Sequence, residues 1–173
     1  MSAMFTQSQF NGDISKWDVS NVKDMEAMFS YSIFNRDISQ WNLSSTLTTT
    51  GMFFRAKFNN NISGWNTSNV TNMSGMFAYS KFNGDISNWD VSKVEDMNNM
   101  FECSKFEGSL DNWRPVRAKY INNILLHCPC TTPYWAEIED VKDRAQAIEI
   151  YHTKENLQQI IQQPLRNKSF IKI

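Results

Sequence analysis

Cys103, His127, Cys128 and Cys130 are the residues whose types could do chemistry together. Cys103 and His127 hold the same place 24 residues apart and the other two thiols follow at once, so four ligands of zinc type could converge. The spacing argues against it. Cys-x-Cys is not a structural-zinc knuckle, and no Cys-x-x-Cys pair accompanies it. The expectation is no metal and no cofactor, with partly buried thiols closing a fold. An odd set of three cysteines also builds no secreted disulfide framework.

Catalysis has less to stand on. His127 and His152 are the two histidines, no Gly-rich phosphate loop exists, and no nucleophile sits in a recognised elbow. Asp13, Asp37 and Asp85 recur in Asn- and Gly-rich surroundings and read as turn formers. A protein that is not an enzyme is expected. Binding has a better candidate: Lys16, Gln40 and Asn88 beside Asp18, Asn42, Asn66 and Asp90, short polar side chains repeated on one outer face for a protein partner.

The elements that must position these residues follow from a repeat. Phe10–Phe29 returns as Phe34–Phe53, Phe58–Phe77 and Phe82–Phe101, with Trp17, Trp41, Trp65, Trp89 and Trp113 marking a 24-residue period without insertion. In each copy Ser15, Trp17 and Val19 alternate with Lys16, Asp18 and Ser20, which predicts a short strand with the tryptophans inside. Val22, Met25, Met28 and Phe29 then make a helical stripe. Gly12 supplies turn freedom between copies, and Asn11, Asn35, Asn59 and Asn83 line up to bond coil to coil. The expected fold is an α/β, right-handed repeat solenoid of 24-residue coils, one short parallel strand plus one short helix per coil. Its structural core is the tryptophan column with Phe29, Phe53, Phe77 and Phe101. Thr46 and Thr49 replace Val and Met in the second coil, so its helix is expected to be the weakest.

The solenoid is expected to span residues 1–127 and a helical C-terminal extension residues 128–173. Met1–Phe5 begins in the middle of a repeat, so an uncapped first coil is expected to mediate self-association. At the other end, Pro133 to His152 reads as a helix with Trp135, Ile138 and Val141 turned inward. Thr153 then caps a second helix, Lys154–Gln163, stopped by Pro164. Arg166–Ile173 is basic and without clear structure.

Bulk properties narrow the classes. A net charge of −1 over 173 residues gives no field to draw nucleic acid, and no run suits a membrane span. Met-Ser-Ala-Met-Phe lacks the parts of a signal peptide, so a cytoplasmic or assembly-associated location is expected unless the chain is cut from a longer surface protein.

The string Phe82-Asn-Gly-Asp-Ile-Ser-Asn-Trp-Asp-Val-Ser-Lys-Val-Glu-Asp-Met-Asn-Asn-Met-Phe101 resembles the BspA-type repeat, and the resemblance covers residues 1 to about 127. That motif occurs in arrays in bacterial surface proteins and lipoproteins, and in some protist and large-virus proteins. It implies an outlying relative of leucine-rich repeats used for adhesion and protein binding, without enzymatic activity. Export signal, lipobox and wall anchor are not seen in the chain as given. The expectation is an interaction module, with a structural subunit of a larger assembly or a soluble inhibitor as the alternatives.

Overall fold

The computed structural model describes residues 1–162. Its one regular element among these residues is the helix α1, Val141–Gln162. No strand forms among them. Four isolated parallel bridges run Asp24–Thr48–Asn72–Asp96–Tyr120, one residue per coil. The expected strand-plus-helix coil is therefore wrong: the repeats stack as coils of turns.

Each half of the coil departs from expectation for the same reason. The stretch read as a strand contains turns instead, Trp17 N–H bonding to Ile14 O at 3.1 Å and Val22 N–H to Val19 O at 2.9 Å. The stretch read as a helix is three overlapping turns, Met28 to Met25 O, Ser30 to Ala27 O and Ser32 to Phe29 O. The amides between them leave the coil. Ala27, Phe29 and Tyr31 donate to Thr50, Met52 and Phe54 of the next coil at 2.8, 2.9 and 2.8 Å. A helix of two turns is marginal in water because its nucleus is costly. Sharing amides with a neighbouring coil satisfies the same groups and ties the coils together.

Positive φ at Ala27 (51°) and Tyr31 (55°) alternates the amide directions and prevents a helix. Gly51 and Gly75 hold the Ala27 slot at φ 57° and 60°, where a glycine costs least. Gly12 serves another purpose than the turn freedom expected of it. A Cβ there would stand 2.8 Å from the ring of Phe10, so the residue makes room.

Inside the stack, Phe29, Phe53, Phe77 and Phe101 lie ring over ring at 5.7 Å. Each also packs 4.2–4.6 Å from a second phenylalanine column, Phe34, Phe58, Phe82 and Phe106. Trp41, Trp65, Trp89 and Trp113 are buried beside them, whereas Trp17 is 38% exposed. Burying a ring of this kind stabilises by about 1.5–3 kcal/mol relative to exposure. The tryptophans also bond across coils. The indoles of Trp41, Trp65, Trp89 and Trp113 donate to Ile14, Ile38, Ile62 and Ile86 O.

Polar columns continue the pattern outside. Asn11, Asn35 and Asn59 Oδ1 accept the amide of the asparagine one coil on at 2.7–2.9 Å. Asp13, Asp37, Asn61 and Asp85 each accept the amide two residues on, at 2.8–3.0 Å. Thr46 and Thr49 weaken no helix, since none forms there; their buried hydroxyls bond to Val22 O and Met76 Sδ.

After the fifth coil the chain makes turns over residues 133–138, not the helix expected from Pro133. Trp135 is buried and its indole donates to Leu110 O. Asp140 Oδ1 caps α1 by accepting the amides of Lys142 and Asp143. The helix runs through Thr153 without a break, so the two expected helices are one; Lys, Glu, Gln and Leu on either side are good helix formers. Gln163, the stop at Pro164 and the basic end Arg166–Ile173 lie outside the described residues. No helix among those described is long and apolar enough to cross a membrane.

Candidate functional site

The backbone of every coil uses its second positive-φ residue to send one side chain outward. In successive coils that residue is Gln7, Tyr31, Arg55, Tyr79, Cys103 and His127, with φ between 53° and 57°. Its amide is spent on the next coil: Tyr31 on Phe54 O, Arg55 on Ala78 O, Tyr79 on Glu102 O. The side chain is thereby held by a rigid scaffold while staying at the surface.

Three of these coils together make an aromatic ledge. Tyr31 meets Phe54 edge-on at 5.3 Å, and Phe54 meets Tyr79 edge-on at 5.7 Å. The Arg55 guanidinium lies 5.6 Å from Tyr31, 5.6 Å from Phe54 and 4.6 Å from Tyr79. Such contacts are worth roughly 0.5–1 kcal/mol at an exposed site, enough to order the arginine. Tyr79 Oη donates to Glu102 Oε1 at 2.8 Å. That bond, more than burial, pushes the phenol up to about 12. Even so, Tyr31 and Tyr79 remain 48% and 40% exposed.

The seven polar residues singled out on the outer face are all exposed: Lys16, Asp18, Gln40, Asn42, Asn66, Asn88 and Asp90. Four of them are occupied by the fold. Asp18, Asn42, Asn66 and Asp90 accept the amides of Ser20, Ser44, Ser68 and Ser92 at 2.9–3.2 Å. The Ser20 hydroxyl, then its amide, hold the Asp18 carboxyl below its ordinary value. Among the described residues no hydrogen bond joins one of the seven to another. Lys16, Gln40 and Asn88 keep their side chains free of such turns. Of the core residues, Phe29, Phe53, Phe77 and Phe101 are wholly buried.

The titratable residues do not converge on one centre. Among the described residues no group of three or more His, Cys, Asp or Glu is placed to hold a metal ion. Cys103 and His127 stand in the outward slot, while Cys128 and Cys130 pair with each other, Sγ to Sγ, at 3.1 Å. His152, on α1, lies against its neighbour Tyr151 and against Tyr134, and burial followed by the nearby Arg114 holds its imidazole below its ordinary value.

Sequence reasoning missed the ledge because its slot repeats in place but not in type. A helical stripe that ends at Phe29 leaves Tyr31 in the connection to the next coil. The available signal was Tyr31, Arg55 and Tyr79 at one 24-residue spacing, with Phe54 beside them.

A family model described as "Mycoplasma protein of unknown function, DUF285" matches residues 1–60 and again 49–131. Together the matches cover 131 of the 173 residues and the whole of the coil stack. No curated protein and no solved structure matches the chain.

Proposed function

We propose that this chain, which belongs to the DUF285 family of Mycoplasma proteins of unknown function, is a non-enzymatic module that binds a protein partner through the side of its coil stack. The observation that carries the reading is the ledge of Tyr31, Phe54, Arg55 and Tyr79. Tyrosine and arginine dominate binding energy at protein interfaces, because they bring large contact area at little entropic cost. Here their conformations are already restrained before a partner arrives. Lys16, Gln40 and Asn88 add exposed polar side chains on the outer face. The BspA-type character of Phe82–Phe101 favours adhesion as the finer form of this activity.

The test is retention of proteins from source-cell extract on the immobilised chain. A variant combining Tyr31→Ser, Arg55→Ser and Tyr79→Ser keeps the backbone contacts and should lose the partner that the native chain retains. Equal retention by both chains, with equal thermal midpoints, contradicts the ledge as the binding surface.

A second reading, as a subunit of a larger assembly, is favoured by the far end of α1. Leu157, Ile160 and Ile161 are 53%, 67% and 80% exposed. A triple exchange of these residues to glutamine should then abolish assembly in sedimentation while leaving ledge binding intact.

A further inference from the structure

We propose that Cys128 and Cys130 form a thiol–disulfide exchange site, cycling between a dithiol and an intramolecular disulfide by reaction with disulfides of small thiols. Cys128 is the attacking sulfur and Cys130 the resolving one.

The site is built from a device that four of the five earlier coils use for another purpose, Ala56 being the exception. A serine at this slot accepts the amide two residues on: Ser8 from Phe10, Ser32 from Phe34, Ser80 from Phe82 and Ser104 from Phe106, at 2.9–3.3 Å. In the last coil the slot holds Cys128, and the residue two on is Cys130. The sulfur therefore sits where the fold already directs a donor. Cys130 brings its thiol to 3.1 Å, and the Ser104 hydroxyl donates to Cys128 Sγ from 3.6 Å. Phe106 O, 3.2 Å away, is the contact that favours the protonated thiol.

Of the two sulfurs, Cys128 is the one favoured as thiolate. The Cys130 thiol, then the Cys130 amide and the Ser104 hydroxyl, draw the Cys128 thiol down to about 6 against the upward push of burial. The same contact and burial push Cys130 up. One sulfur is thus readied as the nucleophile and its neighbour keeps the proton, the division that stepwise exchange needs. Pro129 between them fixes one backbone angle and so restrains the pair. From 3.1 Å, bonding to a length of about 2.05 Å needs a closure of about 1 Å.

The chemistry closes without a further reagent. The Cys128 thiolate attacks a disulfide RSSR, forming Cys128–S–S–R and releasing RS⁻. Cys130 then gives up its proton and attacks Cys128 Sγ, expelling the second RS⁻. The dithiol loses two electrons and two protons; the small disulfide becomes two thiols.

Cys103 is the internal control. It stands one coil back in the outward slot, and its amide bonds Leu126 O at 2.8 Å. No second cysteine is in contact with its sulfur among the described residues.

The experiment equilibrates the reduced full-length chain with mixtures of reduced and oxidised glutathione, quenches with acid, alkylates and maps each cysteine by mass spectrometry. The expected product is a Cys128–Cys130 disulfide with Cys103 still free. In Cys130→Ser the intermediate should be trapped as a glutathione adduct on Cys128. That adduct should form at least about tenfold faster than any on Cys103 at neutral pH. Adducts that accumulate equally on Cys103 and Cys128, or a Cys128–Cys130 pair that stays reduced in oxidised glutathione, overturn the proposal. The native-chain measurement decides the matter even if the variant folds poorly.

Discussion

The indole Nε1–H of Trp135 donates to Leu110 O at 3.2 Å, which places a residue from outside the repeats in the next position of the tryptophan series. Within the stack the same bond spans 27 residues and 3.0–3.1 Å, from Trp41, Trp65, Trp89 and Trp113 to the isoleucine one coil back. Trp135 reaches its acceptor across 25 residues. The segment after the coils thus closes the stack by imitating the coil that would come next. Its turns over residues 133–138 put the indole there.

Removing that imitation should uncap the stack. Trp135 is wholly buried, so Trp135→Ala should cost about 3–5 kcal/mol, the usual range for a buried aromatic. Trp135→Phe keeps most of the apolar contact but strands Leu110 O, for a cost of about 1–3 kcal/mol. Urea unfolding of both variants checks this. A phenylalanine variant as stable as the native chain would mean that the indole bond contributes nothing.

Arg144 should matter as much, for another reason. Its side chain is wholly buried. It donates to three carbonyls: Ala118 in the last coil, and Ile138 and Glu139 at 2.8 and 2.9 Å in the turn before α1. Burial draws its pKa down, but a guanidinium stays charged, so the carbonyls and the nearby Asp140 must compensate. Arg144→Leu should cost roughly 3 kcal/mol or more by leaving buried acceptors unpaired. Arg144→Lys should rescue little, because an ammonium cannot match the planar fork. A lysine variant with native stability would contradict this account of the cap.

Much of this was readable from side-chain types, and the rest depended on where backbone amides go. The 24-residue register, the stacked phenylalanines, the asparagine ladder and the turn role of Asp13, Asp37 and Asp85 all follow from residue chemistry at fixed spacing. The secondary structure does not. Val22, Met25, Met28 and Phe29 have apolar spacing that fits a two-turn helix, yet it fits a run of turns with inward side chains equally well. The discriminating slot was Ala27, Gly51, Gly75 and Asn99, since glycine and asparagine recurring inside a helical stripe signal left-handed backbone. The polar residues Lys16 to Asp90 were legible as surface because charge and amide groups avoid the core. The ledge was not, since its outward direction is set by the backbone at Tyr31, Arg55 and Tyr79.

Acid should loosen the turns. Asp13, Asp37 and Asp85 are held below their ordinary value first by the amides of Ser15, Ser39 and Ser87, and then by those serines' hydroxyls. A carboxyl lowered on folding stabilises above its unfolded pKa, and that contribution is lost as pH falls through the folded value. Stability should therefore be level from neutral pH down to about pH 4 and decline below it. Asp85→Asn should flatten the decline without lowering the neutral midpoint, because Asn61 already makes the same bond to Ser63 at 3.0 Å. An acid limb unchanged in this variant would remove Asp85 from the explanation.

The central claim is that stacked turns are bonded from coil to coil through the tryptophans and the turn amides. Hydrogen exchange of the six indole Nε1–H groups, followed by NMR at neutral pH, tests it most directly. Trp41, Trp65, Trp89, Trp113 and Trp135 each donate to a carbonyl and are buried, so their indole protons should exchange slowly, near the rate of global opening. Trp17, 38% exposed, should exchange orders of magnitude faster. Six indoles exchanging at one fast rate would contradict the account.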